Sequence, residues 1–137
     1  MKTISYCAAV LGLAALAVAC GGGSVASVAV NPLSGRVFVT HDSSLFTCDQ
    51  SAQSCETQKL PHEPVSAAVG PDGGLVFLTA SSIYRCDDAG QSCRETRLPI
   101  DDAVGVAVST SGMIIAVSAS GEVAVCDNAG CQKPARK

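Results

Sequence analysis

Three stretches of this chain are near copies of one another, and nothing else in it restricts the fold as strongly. Ala26 to Pro61 reads ASVAVNPLSGRVFVTHDSSLFTCDQSAQSCETQKLP, Val65 to Pro99 reads VSAAVGPDGGLVFLTASSIYRCDDAGQSCRETRLP, and Val104 to Cys131 reads VGVAVSTSGMIIAVSASGEVAVCDNAGC, a period of about 38 to 40 residues. A unit this short cannot bury its own hydrophobic faces, so a fixed period implies units that stack on their neighbours. Apolar residues are 47% of the 137 and charged residues only 15%, with no tryptophan. The core is therefore built of Val, Ala, Leu and Ile, whose β-branched members favour buried pleated strands. Thirteen glycines and six prolines punctuate them as turns. The fold class is all-β.

Each copy divides into four strands. In the second, Val65, Ala67 and Val69 alternate as a first strand, and Gly70-Pro71-Asp72-Gly73-Gly74 turns it back. Leu75 to Thr79 is continuously apolar, which requires cover on both faces; Arg36 to Thr40 and Met113 to Val117 stand at this place in the other copies. Ile83 to Asp87 is a third strand, and Arg94 to Leu98, mostly charged like Glu56 to Leu60, is a fourth. Charge on the last strand suits the outer edge of a sheet, where it discourages pairing with other chains.

A gradient from a buried first strand to a polar last one is that of a β-propeller blade. Val28-Ala29-Val30-Asn31-Pro32 followed by Gly35-Arg36-Val37-Phe38-Val39-Thr40 resembles the YVTN and NHL-like propeller repeats, across all three copies. That resemblance implies three four-stranded antiparallel blades, at residues 25–61, 64–99 and 103–133, the last incomplete because Pro134 follows Cys131 closely and leaves the outer strand missing or frayed. It implies little about activity, since one fold hosts many functions. A closed propeller takes at least four blades. Two chains joining into a six-bladed ring, an open arc or truncated product, and a β-trefoil, which closes with three units, are the alternatives for a chain with three.

Ahead of the repeats, residues 1–19 have the pattern of a signal peptide: Met1-Lys2, an apolar run from Ile4 to Ala19, and small residues at Ala17 and Ala19. Cys20 and the tether at residues 20–24 resemble the lipobox of bacterial lipoproteins, departing from it in having Ala17 where that family usually has Leu. The resemblance implies acylation of Cys20 and a lipid anchor in the cell envelope; the alternative is ordinary cleavage, a secreted protein and a spare thiol.

Of eight cysteines, Cys7 falls in the signal and Cys20 at the lipidation position. The other six form one pair per repeat, Cys48 with Cys55, Cys86 with Cys93 and Cys126 with Cys131, each around a polar turn. Zinc thiolates usually come as closer pairs converging on one ion, and no pair has the spacing of a redox motif. Three local disulfides in an oxidising compartment are the expectation.

Chemistry-bearing residues are few. With Lys2 removed, eight basic residues face twelve acidic ones, and no basic stripe offers a nucleic-acid surface. His41 and His62 lie in loops without a nucleophile at a recognisable spacing, and no catalytic, phosphate-binding or calcium-binding motif occurs. In a four-stranded meander the turn after the second strand and the connection to the next blade emerge at one end. This places His41, Asp42, His62, Glu63, Asp101 and Asp102 on one rim as candidates for a cation or a basic partner. The expected function is a non-enzymatic extracytoplasmic interaction module without a cofactor, lipid-anchored through Cys20, with a protein or glycan partner and a possible homodimer. A lactonase- or hydrolase-like enzyme assembled on dimerisation, or an inactive fragment of a longer propeller, are the alternatives.

Overall fold

The computed structural model describes residues 26–135; the signal, the tether and Cys20 lie outside the described residues. Twelve strands form three separate four-stranded antiparallel sheets, each a meander in chain order. The first comprises β1 (Ala26–Val30), β2 (Val37–His41), β3 (Ser44–Cys48) and β4 (Cys55–Lys59). The second comprises β5 (Ser66–Val69), β6 (Leu75–Leu78), β7 (Ser82–Arg85) and β8 (Arg94–Arg97). The third comprises β9 (Ala103–Val108), β10 (Ile114–Ser118), β11 (Val123–Asp127) and β12 (Gly130–Gln132).

The first strands β1, β5 and β9 lie beside one another on the inner side, and the charged β4 and β8 are exposed on the outside. This is an arc of three propeller-like blades, not the β-trefoil. The third blade differs from expectation in one respect: its outer strand is present, paired with β11 through Val125↔Gln132, Cys126↔Cys131 and Asp127↔Gly130. It is only three residues long, with Pro134 shortly after it, and follows a shorter turn, Asn128 and Ala129, than the other blades have.

Each blade has two faces, and in a pleated sheet directly opposed residues share one. Where two blades meet, the earlier presents what is called its trailing face and the later its leading face. At the first joint Phe38 and Leu45 from the trailing face of blade 1 pack with Leu75, Phe77 and Tyr84 from the leading face of blade 2. Val76, Leu78 and Ile83, the other face of blade 2, pack at the second joint against Ile114, Ala116, Ala124 and Cys126. Strand β6 is consequently buried at all four positions, whereas β2 and β10 are buried at alternating ones. The double cover expected for every second strand holds for the middle blade alone.

The first blade also carries one more residue between its first two strands. Six residues separate Val30 from Val37, which are register partners, whereas five separate Val69 from Leu75 and Val108 from Ile114. One residue reverses the face that every following side chain occupies. Phe38, which aligns with Phe77 by sequence, therefore points the opposite way, and the two phenylalanines meet in the same core from facing sheets.

Polar groups fix the joints. Asn31, 1% exposed, donates from Nδ2 to the Gly73 carbonyl at 3.1 Å while its Oδ1 accepts the Leu33 and Ser34 amides at 2.9 and 3.3 Å. It thus satisfies its own turn and clasps the next one. Gly73 has φ +86°, and a Cβ there would lie 2.8 Å from the Asn31 amide nitrogen, so both conformation and space require glycine. Between the inner strands, the Ala67 amide donates to Ser27 Oγ at 3.0 Å.

Candidate functional site

Cys48 and Cys55 are register partners on β3 and β4, Cys126 and Cys131 on β11 and β12, and Cys86 and Cys93 flank the last pair of β7 and β8, Arg85↔Arg94; all three pairs are disulfide-bonded. Three disulfides are compatible with an extracytoplasmic location. Because each bond closes a hairpin, it fixes the polar turn between the two cysteines. Asp49, Asp87 and Asp127 begin these turns, and each carboxylate accepts amides of its own turn. The Asp49 carboxyl is held below its ordinary pKa, first by the Ser51 hydroxyl and further by the amides of its turn.

Arginines reach from one blade into the disulfide turn of the next. Arg36 Nη1 donates to the Asp88 carbonyl at 2.9 Å. Arg85 Nη1 donates to Asn128 Oδ1 at 3.1 Å, and its Nη2 donates to the Asp127 carbonyl. Beside Arg85, between blades 2 and 3, lies a cleft of about 320 Å³. Its mouth is polar, with Asp72, Arg85, Ser111 and Asn128, and its floor is apolar, with Leu75, Val108 and Ile114. The buried Nε of Arg85 has no hydrogen-bond partner. An apolar floor with a few fixed donors and acceptors at the edge is the general make-up of a ligand pocket. Nothing in the sequence marked this cleft, because its walls come from two repeats and only the joint brings them together.

The rim residues lie at the other end, on the turns after the second strands and the connections between blades. The Leu60 amide donates to the Ser43 carbonyl, Ala103 to Ala80, and Ala119 to Asp102, so these segments run side by side. His41 Nδ1 is 3.5 Å from Asp42 Oδ2, its own neighbour. Asp42 and Asp102 both adopt positive φ, 51° and 53°. His62 is grouped instead with blade 2, its ring 6.3 Å from that of Tyr84 and lining a shallow depression with Glu63, Thr79 and Glu95. Asp101 and Asp102 belong to the next connection, and among the described residues no group of three His, Cys, Asp or Glu is arranged to hold a metal ion.

Tyr84 joins the core to this end. It stacks on Phe77 at 4.7 Å, with rings 5° from parallel, and its hydroxyl donates to Glu95 Oε2 at 3.0 Å. Burial, and then the Glu95 carboxylate, push the Tyr84 phenol up to about 12. The Ser82 and Tyr84 hydroxyls hold Glu95 below the ordinary carboxyl range, with smaller help from His62 and Arg97. The pair is a structural hydrogen bond at the outer edge of the middle blade, and it holds no group poised to exchange a proton near neutral pH.

No protein-family model matches the chain, and no curated protein matches it. Among solved structures it is similar to a chain described as YCF48 bound to D1 peptide, with a TM-score of 0.54 and 19% sequence identity. The likeness covers 81% of this chain and 39% of the other, so this chain spans well under half the length of that structure. At that identity the likeness concerns the fold, and it agrees with the three stacked meanders in giving the chain a propeller-like architecture.

Proposed function

We propose that this chain is an extracytoplasmic, propeller-like interaction module that binds a polypeptide segment and performs no chemistry of its own. The observation that carries the reading is the cleft between blades 2 and 3, apolar at its base and edged by Arg85, Asp72 and Asn128. The disulfide-closed turn of blade 3 and the glycine-rich turn of blade 2 pre-organise its walls, which lowers the entropic cost of binding. The solved structure it resembles is described with a bound peptide, which supports a peptide over a glycan. Against an enzyme stands the character of the inner strands, whose side chains are Ser, Ala, Val and Gly. The address follows from the leader: export, then acylation at Cys20 and a lipid anchor in the cell envelope.

Selection of random displayed peptides against the purified protein tests the site. A recurring motif is expected, with binding lost in Ser111→Trp, which places a large ring in the cleft mouth. Absence of any enriched peptide, enrichment indifferent to that plug, or selective binding to a glycan array would each overturn it. Intact mass of the envelope-extracted protein tests the address: a diacyl or triacyl increment on Cys20 is expected, and an unmodified thiol would remove the anchor.

A further inference from the structure

The faces that blades 1 and 3 turn away from the middle blade are apolar, and among the described residues nothing covers them. On blade 1 this is the leading face, with Val28 62% and Val30 54% exposed and Val37, Val39 and Phe46 half-buried. On blade 3 it is the trailing face, with Val117 37% exposed, Ala107 exposed, and Ile115, Val123 and Val125 half-buried. These are not two unrelated patches. One is a leading face and the other a trailing face, the two kinds of face that the chain packs together between blades 1 and 2 and again between blades 2 and 3. Among the described residues neither face has a blade opposite it, and the two kinds of face are complementary.

Their sizes also match, at a position where the repeats differ. In the first joint Gly90, at φ +75°, sits in the disulfide turn of blade 2 so close to blade 1 that a Cβ would lie 3.0 Å from Leu45 Cδ2 and 3.3 Å from Phe38 Cε1. The same place in the turn of blade 1 is Ala52, which keeps the left-handed conformation, φ 59°, despite its methyl group. The trailing positions equivalent to Phe38 and Leu45 by strand register are Ile115 and Val123 on blade 3. Both are smaller. The blade that has a methyl on its turn thus corresponds to a facing blade with room for it.

From these observations we infer that a second copy of this chain occupies both faces. Blade 3 of each copy docks on blade 1 of the other, closing a six-bladed ring with two identical new joints. Six blades lie within the range over which propellers close, and a two-fold pair is the commonest closed assembly. The new joints lack the arginine clasp of the internal ones, since Val125 on blade 3 stands where blade 2 has Arg85.

Sedimentation of the full chain, purified in density-matched detergent, tests the ring with two variants. Wild type should have the mass of two chains. Val28→Asp on the leading face and Val117→Arg on the trailing face should each raise the dissociation constant at least about tenfold, because either buries an uncompensated charge. A far-UV circular dichroism spectrum like that of wild type and a cooperative urea transition show that each variant is folded. An equimolar mixture of the two variants should recover two-chain particles, since one joint of the mixed ring is then wild type and the other pairs opposite charges. A one-chain mass for wild type at every concentration overturns the ring, as does a mass that grows beyond two chains. Insensitivity to Val117→Arg would indicate two leading faces meeting each other, and would also overturn it.

Discussion

Blade 2 and blade 1 share a sequence pattern but not an environment. In blade 2 both faces are covered: Leu75 and Phe77 look to one neighbour, Val76 and Leu78 to the other, and all four are buried. Blade 1 buries Phe38 and Leu45 on one face and leaves Val28 and Val30 more than half exposed on the other. Similar valines contribute very differently according to what stands opposite them, because hydrophobic stabilisation scales with the area removed from water. The repeat supplies a potential for burial that its position in the arc either realises or leaves open.

The sharpest way to break this contrast is truncation at one covered and one open site. Phe77→Ala should cost about 3 to 5 kcal/mol, while Val30→Ala should stay within about 0.5 kcal/mol in the isolated chain. Urea unfolding measures both, and equal losses would mean that the open face is covered after all. The disulfides come next and should erase the contrast, because their effect lies in the unfolded chain. Replacing Cys86 and Cys93 together by Ser, or Cys48 and Cys55 together, should cost about 2 to 2.5 kcal/mol in either blade. A loss confined to the middle blade would show that packing and not loop closure sets their contribution.

A smaller effect is expected at the clasp between the blades. Asn31→Ala leaves the Leu33 and Ser34 amides and the Gly73 carbonyl without their partner, and should cost about 1 to 3 kcal/mol. Asn31→Asp, which keeps the acceptor but not the donor, should recover part of the loss in thermal unfolding. The smallest effects depend on pH and separate Tyr84 from Phe46, its counterpart on blade 1. The folded phenol keeps its proton to about 12, above the ordinary value of 10.0, so the unfolded chain ionises first. The stability it contributes is complete below pH 10 and declines as pH rises toward 12. Glu95 has the opposite sign. Its folded pKa is depressed, so its contribution is complete above the ordinary carboxyl value of 4.5 and is lost as pH falls through the folded value. Tyr84→Phe should flatten the melting temperature between pH 10 and 11, and Glu95→Gln should flatten it below pH 4.5.

The blade count, the strand order, the cysteine pairs and the exposed charged strands β4 and β8 were legible because each follows from periodicity or from residue type at a sheet edge. The facing of Phe38 was not. It depends on a single extra residue in the turn after Val30, which the gapless match of Val30–Phe38 with Val69–Phe77 hides and only the strand register reveals. Strand β12 was hidden for the converse reason, since three residues next to a proline carry too little pattern to announce a strand, and it is the Cys126–Cys131 bond that holds them. The cleft beside Arg85 was illegible because it belongs to a joint, not to a repeat. The rim residues sit on turns and connections whose backbones run side by side, and among the described residues no three of the His, Cys, Asp or Glu side chains are grouped to hold a metal ion.

The disulfides have a further consequence. Each spans a polar turn, and in blade 1 every residue between the two cysteines is exposed, the kind of polar tip at which proteases cut first. A single cut between Cys48 and Cys55, or between Cys86 and Cys93, would leave the outer strand covalently attached to its neighbour at the register where it already lies. Nicked there, a blade keeps its outer strand tied to the sheet through the disulfide and keeps its shape.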